Sequence, residues 1–139
     1  MRLPEFLHNK QSMQEKQLFE YAVIRIVPRV DRQEFFNVGI ILYCASLNFL
    51  QVKFEINQKK MAAFSKEIDT EDLQKRLHAF EQICAGDKIA GEIALLPLPS
   101  RFRWLTATRS TILQTSPVHP GFSNNLIQTL DKLFNELVK

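Results

Sequence analysis

Three segments in the first half of the chain carry the apolar patterns typical of β-strands. Residues 18–27 and 36–44 are apolar at both alternating sets of positions, as expected for strands covered on both faces. Residues 49–56 alternate between apolar and polar side chains, which indicates a half-exposed strand. The sequence therefore predicts a three-stranded antiparallel meander, with Pro28 ending the first strand because proline cannot donate to a ladder. Gly39 marks either a β-bulge or a close approach of another backbone or a ligand.

Helical spacing of apolar residues begins after this meander. Residues 57–65 predict a short helix, and Asp69 or Thr70 can cap a longer helix that Gly86 closes. The longer helix carries an apolar stripe at three- and four-residue spacing, formed by Leu73, Leu77, Phe80, Ile83 and Cys84.

The last third of the chain is punctuated by prolines. Pro97 and Pro99 are expected to break the chain, and residues 108–115 predict a fourth strand because they are rich in β-formers. Residues 116–121 predict a rigid turn, after which Ser123 caps a final helix. The apolar face of that helix consists of Leu126, Ile127, Leu130, Leu133, Phe134, Leu137 and Val138.

Together these elements predict an α+β fold. We expect an antiparallel sheet of four to five strands with two to three helices packed against it, the final helix covering one face. The length of 139 residues and the hydrophobic content of 45% suit one domain, which we assign to residues 18–139. Residues 1–17 are expected to form an N-terminal tail or a docking segment.

The distribution of charge is more informative than the net charge of +3, which permits an anionic partner without requiring one. Residues 93–130 contain no Asp or Glu but include Arg101, Arg103 and Arg109. These arginines must find carboxylates elsewhere in the fold, face water or hold an anion.

Signatures of well-known catalytic and metal sites do not occur in the sequence. We find no glycine-rich phosphate loop, no paired-histidine zinc motif, no Cys-x-x-Cys and no nucleophile elbow. Cys44 and Cys84 are therefore expected to be buried free thiols, and we expect no metal and no cofactor. No apolar stretch approaches the roughly 20 residues of a membrane span. The first residues lack a secretion signal, so the cytoplasm is the expected location.

Arginines on rigid elements are the remaining candidates for function. Their guanidinium groups bind carboxylate and phosphate through paired hydrogen bonds. If they converge in the fold, they form an anion pocket. The candidate anion-binding residues are Arg25, Arg32, Arg103, Arg109, Ser110 and His119, with Glu34, Asn37 and Trp104 as supporting residues.

The same residues also have a purely structural interpretation. Glu34 can neutralise Arg25 or Arg109, while Asn37 bonds loop backbone. Trp104 can fill the core rather than stack against a ligand. Both interpretations stay open on the sequence alone.

Two blocks of the sequence resemble a bacterial family, domain of unknown function 3037. The first block runs from Tyr21 to Leu42 and contains a strand arginine followed by Asn-Val-Gly. The second contains Phe102-Arg103-Trp104-Leu105, then Arg109-Ser110-Thr111, then Ser116-Pro117-Val118-His119. The resemblance covers about residues 18–138 and brings no established activity. It implies a partner or regulatory role, because family members are often encoded near HipA-like kinase proteins.

Three functions follow as hypotheses. The leading one is a binding or regulatory module whose anion site takes a nucleotide, nucleic acid, or an acidic or phosphorylated protein. The second is an enzyme on phosphate-containing substrates, metal-independent or metal-assisted, with Glu34, Asp31 or His119 as acid or base. The third is a structural partner subunit of a HipA-like kinase. The sequence favours a protein that is not an enzyme, since no acids occur at a convincing metal-binding spacing.

Overall fold

Five antiparallel strands form one sheet in the computed structural model, which describes residues 16–29, 34–64, 68–109 and 111–139. The long central strands β1 and β2 pair with each other, β3 pairs with β2, and the outer side of β1 is shared by β4 and β5. The strands are β1 (Gln17–Arg29), β2 (Glu34–Cys44), β3 (Phe49–Phe54), β4 (Leu113–Thr115) and β5 (His119–Ser123).

Four α-helices accompany the sheet in the described ranges. They are α1 (Gln58–Phe64), α2 (Thr70–Ala85), α3 (Leu98–Leu105) and α4 (Leu126–Leu137), with 3-10 helices at Lys88–Ala90 and Glu92–Leu95. The predicted caps of α2 are confirmed: the Asp69 side chain accepts a hydrogen bond from the backbone N–H of Asp72, and Gly86 ends the helix with φ 72°. The predicted α+β fold is confirmed, with one helix more than expected.

Apolar side chains cover both faces of the sheet, as the strand patterns predicted. On one face, Ile24, Ile26 and Ile41 pack with residues of α2 and α3 such as Leu77 and Phe102. On the other face, a second cluster joins the sheet to α4 through Phe19, Val23, Ile40, Leu42, Leu126, Leu130 and Phe134. The domain is therefore layered, with α2 and α3 on one side of the sheet and α4 on the other.

Polar contacts fix α4 against the sheet at two points. Lys53 of β3 forms an ion pair with Asp131 at 2.8 Å, and its ammonium lies 4.9 Å from the ring centroid of Phe134. Asn37 of β2 donates from Nδ2 to the carbonyl of Leu137 at 2.9 Å. The prediction that the final helix covers one face is confirmed.

A β-bulge interrupts β2 beside Gly39. Ile24 pairs with Gly39 and Arg25 pairs with Asn37, so Val38 is an extra residue on β2. A Cβ atom at position 39 would lie 2.7 Å from the carbonyl oxygen of Lys53. Both alternatives left open for this glycine therefore hold, because a bulge and a close backbone approach meet at the same place.

Several element boundaries in the second half differ from those predicted. Pro97 and Pro99 do not break the chain; they begin α3, since the first helical turn has no need of their missing N–H groups. The fourth strand, predicted over residues 108–115, is only three residues long as β4. The turn predicted over residues 116–121 includes the first residues of β5. The cap of α4 is Asn125 rather than Ser123.

Ser123 still takes part in the start of α4. Its hydroxyl accepts from the backbone N–H of Asn125 at 3.0 Å and bonds the hydroxyl of Thr129 at 2.5 Å. β1 also differs from the prediction, because it continues past Pro28 to Arg29, with an irregular register between Ile26 and Arg29.

Candidate functional site

Arg25 projects from the middle of β1 toward the α4 side of the sheet. Its neighbours Ile24 and Ile26 belong to the core under α2 and α3, so the alternation of a strand turns Arg25 to the opposite face. Its cross-strand partners are Asn37 on β2 and Gln114 on β4. Arg25 thus lies in the centre of the sheet, between two strands with amide side chains.

The guanidinium of Arg25 has no hydrogen-bond or ion-pair partner among the described residues. Its Cζ lies 4.3 Å from the ring centroid of Phe35, which is 47% exposed. Its Nε is buried and unpaired, and so is Oδ1 of Asn37. Because an unmade hydrogen bond of a buried group costs about 1–3 kcal/mol, these atoms are the least satisfied polar atoms of the site.

Arg109 lies on the other side of the sheet and is held by backbone. Its Nη1 donates to the carbonyl of Leu105 at 2.8 Å and its Nη2 to that of Trp104 at 2.6 Å, at the C-terminal end of α3. Its Cζ lies 4.6 Å from the ring centroid of Trp104 and 5.6 Å from that of Phe80. The negative end of the helix dipole complements this charge. Burial lowers the pKa of Arg109 from its usual value.

Arg101 caps α2 in the same way. It donates from Nη1 to the carbonyls of Ile83 and Cys84, at 2.9 and 3.0 Å, and from Nε to that of Leu96 at 3.0 Å. The thiol beneath it is inert at neutral pH, because burial raises the pKa of Cys84 to about 12, with a smaller opposing effect of Arg101. The predicted burial of free thiols is confirmed for Cys84 and Cys44.

The remaining candidates are spread over the molecule. Arg103 is exposed on the last turn of α3. His119 is exposed on β5, with its ring centroid 5.4 Å from that of Tyr21. Because Tyr21 and Arg25 are four residues apart on one strand, His119 lies roughly 13 Å along the sheet from Arg25. Arg32 and Ser110 lie outside the described residues.

Glu34 is exposed at the start of β2, opposite Arg29. In the described part of the chain it forms no ion pair with Arg25 or Arg109. The acid–base candidate Asp31 lies outside the described residues, and in the described ranges no three His, Cys, Asp or Glu side chains cluster in a way that could hold a metal ion. The structure therefore brings together two pairs of candidates, Arg25 with Asn37 and Trp104 with Arg109, on opposite faces.

Sequence reasoning missed the two aromatic residues that complete these pairs. Phe35 lies under Arg25, and its position two residues before Asn37 on β2 was the available signal, since such residues share a face. Phe80 lies beside Arg109, but its place on the apolar stripe of α2 indicated only core packing. Arg109 with its neighbours is held by hydrogen bonds to backbone, whereas Arg25 over Phe35 has no hydrogen-bond partner among the described residues.

Two clefts flank these groups. One, of about 160 Å³, is lined by Asn37 and by charged and polar residues that include Glu55, Lys60 and Lys139. The other, of about 280 Å³, lies between α2, Trp104 and β4 and is mostly apolar. Asn37 is the candidate residue that lines the polar cleft, and Arg25 is not part of its lining.

No helix in the described ranges is both long enough and apolar enough to cross a membrane.

The chain was compared with family models, with curated proteins and with solved structures, and the family models gave a match. No curated protein and no solved structure matches the chain significantly. A family model matches residues 21–138, which include Arg25 with Phe35 and Arg109 with Trp104. On that match, the chain belongs to the family described as "Protein of unknown function (DUF3037)".

Proposed function

We propose that this domain is a binding module and that Arg25 takes the anionic group, carboxylate or phosphate, of its ligand. The observation that carries the proposal is the half-buried guanidinium with an unpaired, buried Nε in the centre of a rigid sheet. Nε has almost no exposed surface, so a ligand that reaches it must displace the side chains that cover it; its oxygen then removes the free-energy cost of the unmade hydrogen bond. Binding is thereby favoured by a group whose desolvation has already occurred in the free protein.

The surroundings of Arg25 suit recognition of a planar or tetrahedral anion. The exposed ring of Phe35 supports one face of the guanidinium, which leaves the N–H edges for an acceptor. Donors on a central strand are also better fixed in position than donors on a loop.

Binding is favoured over catalysis because, among the described acid–base candidates, neither His119 nor Glu34 contacts this guanidinium. His119 is separated from Arg25 by four residues of β1, and Glu34 is turned to solvent. General acid–base chemistry requires hydrogen-bond reach between the proton donor or acceptor and the bound group. A phosphorylated or acidic protein, a nucleotide or nucleic acid supplies the required anion, and the kinase partner implied by the family resemblance is the first protein to test.

The proposal is tested by NMR on the ¹⁵N-labelled protein, with inorganic phosphate as the probe. The Nε–Hε signal of Arg25 is expected to shift and saturate, whereas that of the exposed Arg103 follows only the change in ionic strength. Arg25→Lys keeps the charge but loses the two-pronged donor geometry, so we expect weaker phosphate binding. Equal, unsaturated shifts at both arginines would contradict the proposal.

The source of the anion is identified by three further titrations. A phosphoserine peptide, a glutamate peptide and adenosine diphosphate each carry the anionic group on a different kind of molecule, and each is titrated over the same concentration range. The molecule that shifts the Arg25 signal at the lowest concentration identifies the ligand class. Arg103→Gln is the matched control, because it removes a guanidinium that is exposed and remote from Phe35, and its titration curves should match those of the wild type.

A further inference from the structure

The apolar cleft on the other face of the sheet has a different character from the Arg25 site. Its walls are Ala79, Phe80 and Ile83 of α2, Leu113 of β4 and the ring of Trp104. Its volume of about 280 Å³ falls just under the range of roughly 300–1,000 Å³ typical of small-molecule pockets. A cleft of this size suits one large side chain better than a whole cofactor.

The Trp104 wall is already ordered before anything binds. Trp104 is 39% exposed, and the guanidinium of Arg109 lies over its ring while donating to two carbonyls at the end of α3. Fixing these two side chains in advance removes the entropy cost that binding would otherwise carry. Trp and Arg are also the residue types that most often dominate the affinity of protein interfaces.

The charged residues that line this cleft are Arg76 and Arg109. Arg76 uses Nε to bond Asp72 at 2.9 Å, and the exposed Arg103 lies next to Trp104 on α3. No carboxylate lines the cleft in the described part of the chain. An occupant with negative charge on either side of an apolar group is therefore complementary to the cleft and its rim.

We propose that this cleft is a second binding site, which receives an aromatic side chain from an acidic peptide segment of a partner protein. The ring enters between Phe80, Leu113 and Trp104, where it loses contact with water. The flanking carboxylates lie near Arg76 and Arg109. This site is independent of Arg25, because the two lie on opposite faces of the sheet.

The single tryptophan of the chain reports on this site directly. The probe is the acetylated and amidated peptide DEFDE, titrated into the full chain while Trp104 fluorescence is recorded. We expect a saturable change in emission, at least about tenfold weaker binding of DEADE because the buried ring is lost, and no saturation with KKFKK. Saturation by KKFKK at the same concentrations would overturn the proposal.

Two variants test separately how much the rim charge and the apolar cleft contribute to peptide binding. Arg76→Gln removes one rim charge at an exposed position, and we expect DEFDE to bind about three- to tenfold more weakly. Ala79→Leu fills the cleft and should abolish binding, while urea unfolding verifies that the variant is folded. Lys132→Gln is the control, because Lys132 is an exposed cation on α4, on the opposite face of the sheet, and DEFDE should bind this variant as it binds the wild type.

Two other occupants would overturn the peptide proposal. If N-acetylphenylalanine saturates the signal at the same concentration as DEFDE, the cleft takes a small aromatic acid. If the wild type is a dimer by sedimentation and Ala79→Leu is a monomer, the occupant is a second copy of this chain. Binding of DEFDE to a monomer, tenfold or more ahead of N-acetylphenylalanine, supports the proposal.

Discussion

Arg25 and Arg109 are both half-buried arginines beside aromatic rings, yet their guanidinium groups differ in whether they have hydrogen-bond partners. Arg109 gives two hydrogen bonds to carbonyls at the end of α3, whereas Arg25 gives none within the described residues and keeps Nε buried and unpaired. A guanidinium held by helix-terminal carbonyls stabilises the fold. A guanidinium held only by packing leaves a buried donor without a partner, which lowers the stability of the fold, and a ligand that accepts from this donor restores the lost free energy. The difference separates structural arginines from candidate binding arginines in this chain.

The largest expected effect comes from Arg101, which donates to two carbonyls at the end of α2 and to the carbonyl of Leu96 before α3. Arg101→Met keeps the aliphatic stem but removes the side-chain donor from all three carbonyls, although that of Ile83 still accepts from the N–H of Gly86 at 3.2 Å. Since hydrogen bonds to charged groups contribute about 1.5–3 kcal/mol each and are not additive, we expect the free energy of unfolding to fall by about 3 kcal/mol. Urea denaturation measures this change.

Arg103→Met is the matched control for that experiment. It makes the same substitution on the same helix, at an exposed position, so the change should stay within about 0.5 kcal/mol. If Arg101→Met is as mild as this control, helix-end capping by arginine does not stabilise the domain.

Arg109→Met is expected to have the next largest effect, a loss of about 2 kcal/mol in the free energy of unfolding. The carbonyls of Leu105 and Trp104 lose a side-chain donor, although that of Trp104 still accepts from the N–H of Ala107 at 3.4 Å, and the ring of Trp104 loses the cation above it. Chemical denaturation gives the stability, and the emission of Trp104 should change in the folded protein. An unchanged denaturation midpoint would place Arg109 with the binding arginines.

Arg25→Met should act in the opposite direction. The substitution removes a buried, unpaired Nε and keeps an aliphatic chain against Phe35, so the free energy of unfolding is expected to rise by about 1 kcal/mol. Phosphate binding, followed through the backbone amides of Phe35 and Asn37, should disappear. A loss of stability as large as that of Arg109→Met would show that Arg25 is structural, and the contrast drawn between Arg25 and Arg109 would be wrong.

The first half of the fold could be predicted because its information is local. The continuous apolar runs of β1 and β2 and the alternation in β3 predicted the meander, and Asp69 with Gly86 predicted the ends of α2. The second half depended on tertiary context. Pro97 and Pro99 have the same local signature at the first turn of a helix as in a loop, so α3 was missed.

β5 was missed for a related reason. Pro120 and Gly121 are typical of a turn, yet the strand pairs with β1 and the ring of Phe19 lies against Gly121, where a side chain would collide. That contact joins residues about a hundred positions apart, which no local pattern contains.

The candidate site was hardest to predict because the acceptors of its arginines are backbone carbonyls. The sequence showed that Arg101 and Arg109 lacked nearby acids, and it left distant carboxylates, water or an anion as their partners. Every residue carries a carbonyl, so no side-chain signature shows which arginine will cap a helix. Arg109 differs from Arg25 through bonds to the end of the helix just before it, and Arg101 differs through the placement of α3 against the end of α2.

The smallest expected effect comes from supplying Arg25 with an anion from within the protein. Gln114 is its cross-strand partner on β4, and residues paired in this way point to the same face. In Gln114→Glu the new carboxylate can reach the guanidinium, while the amide hydrogen bond to the carbonyl of Thr111 is lost. Opposite-charge cross-strand pairs contribute roughly 0.2–1 kcal/mol, so we expect a net gain of about 0.5 kcal/mol at pH 7. The same carboxylate should compete with phosphate at Arg25, and a Gln114→Ala control should leave phosphate binding in place. Unchanged phosphate binding in Gln114→Glu would mean that the anion binds somewhere other than this guanidinium.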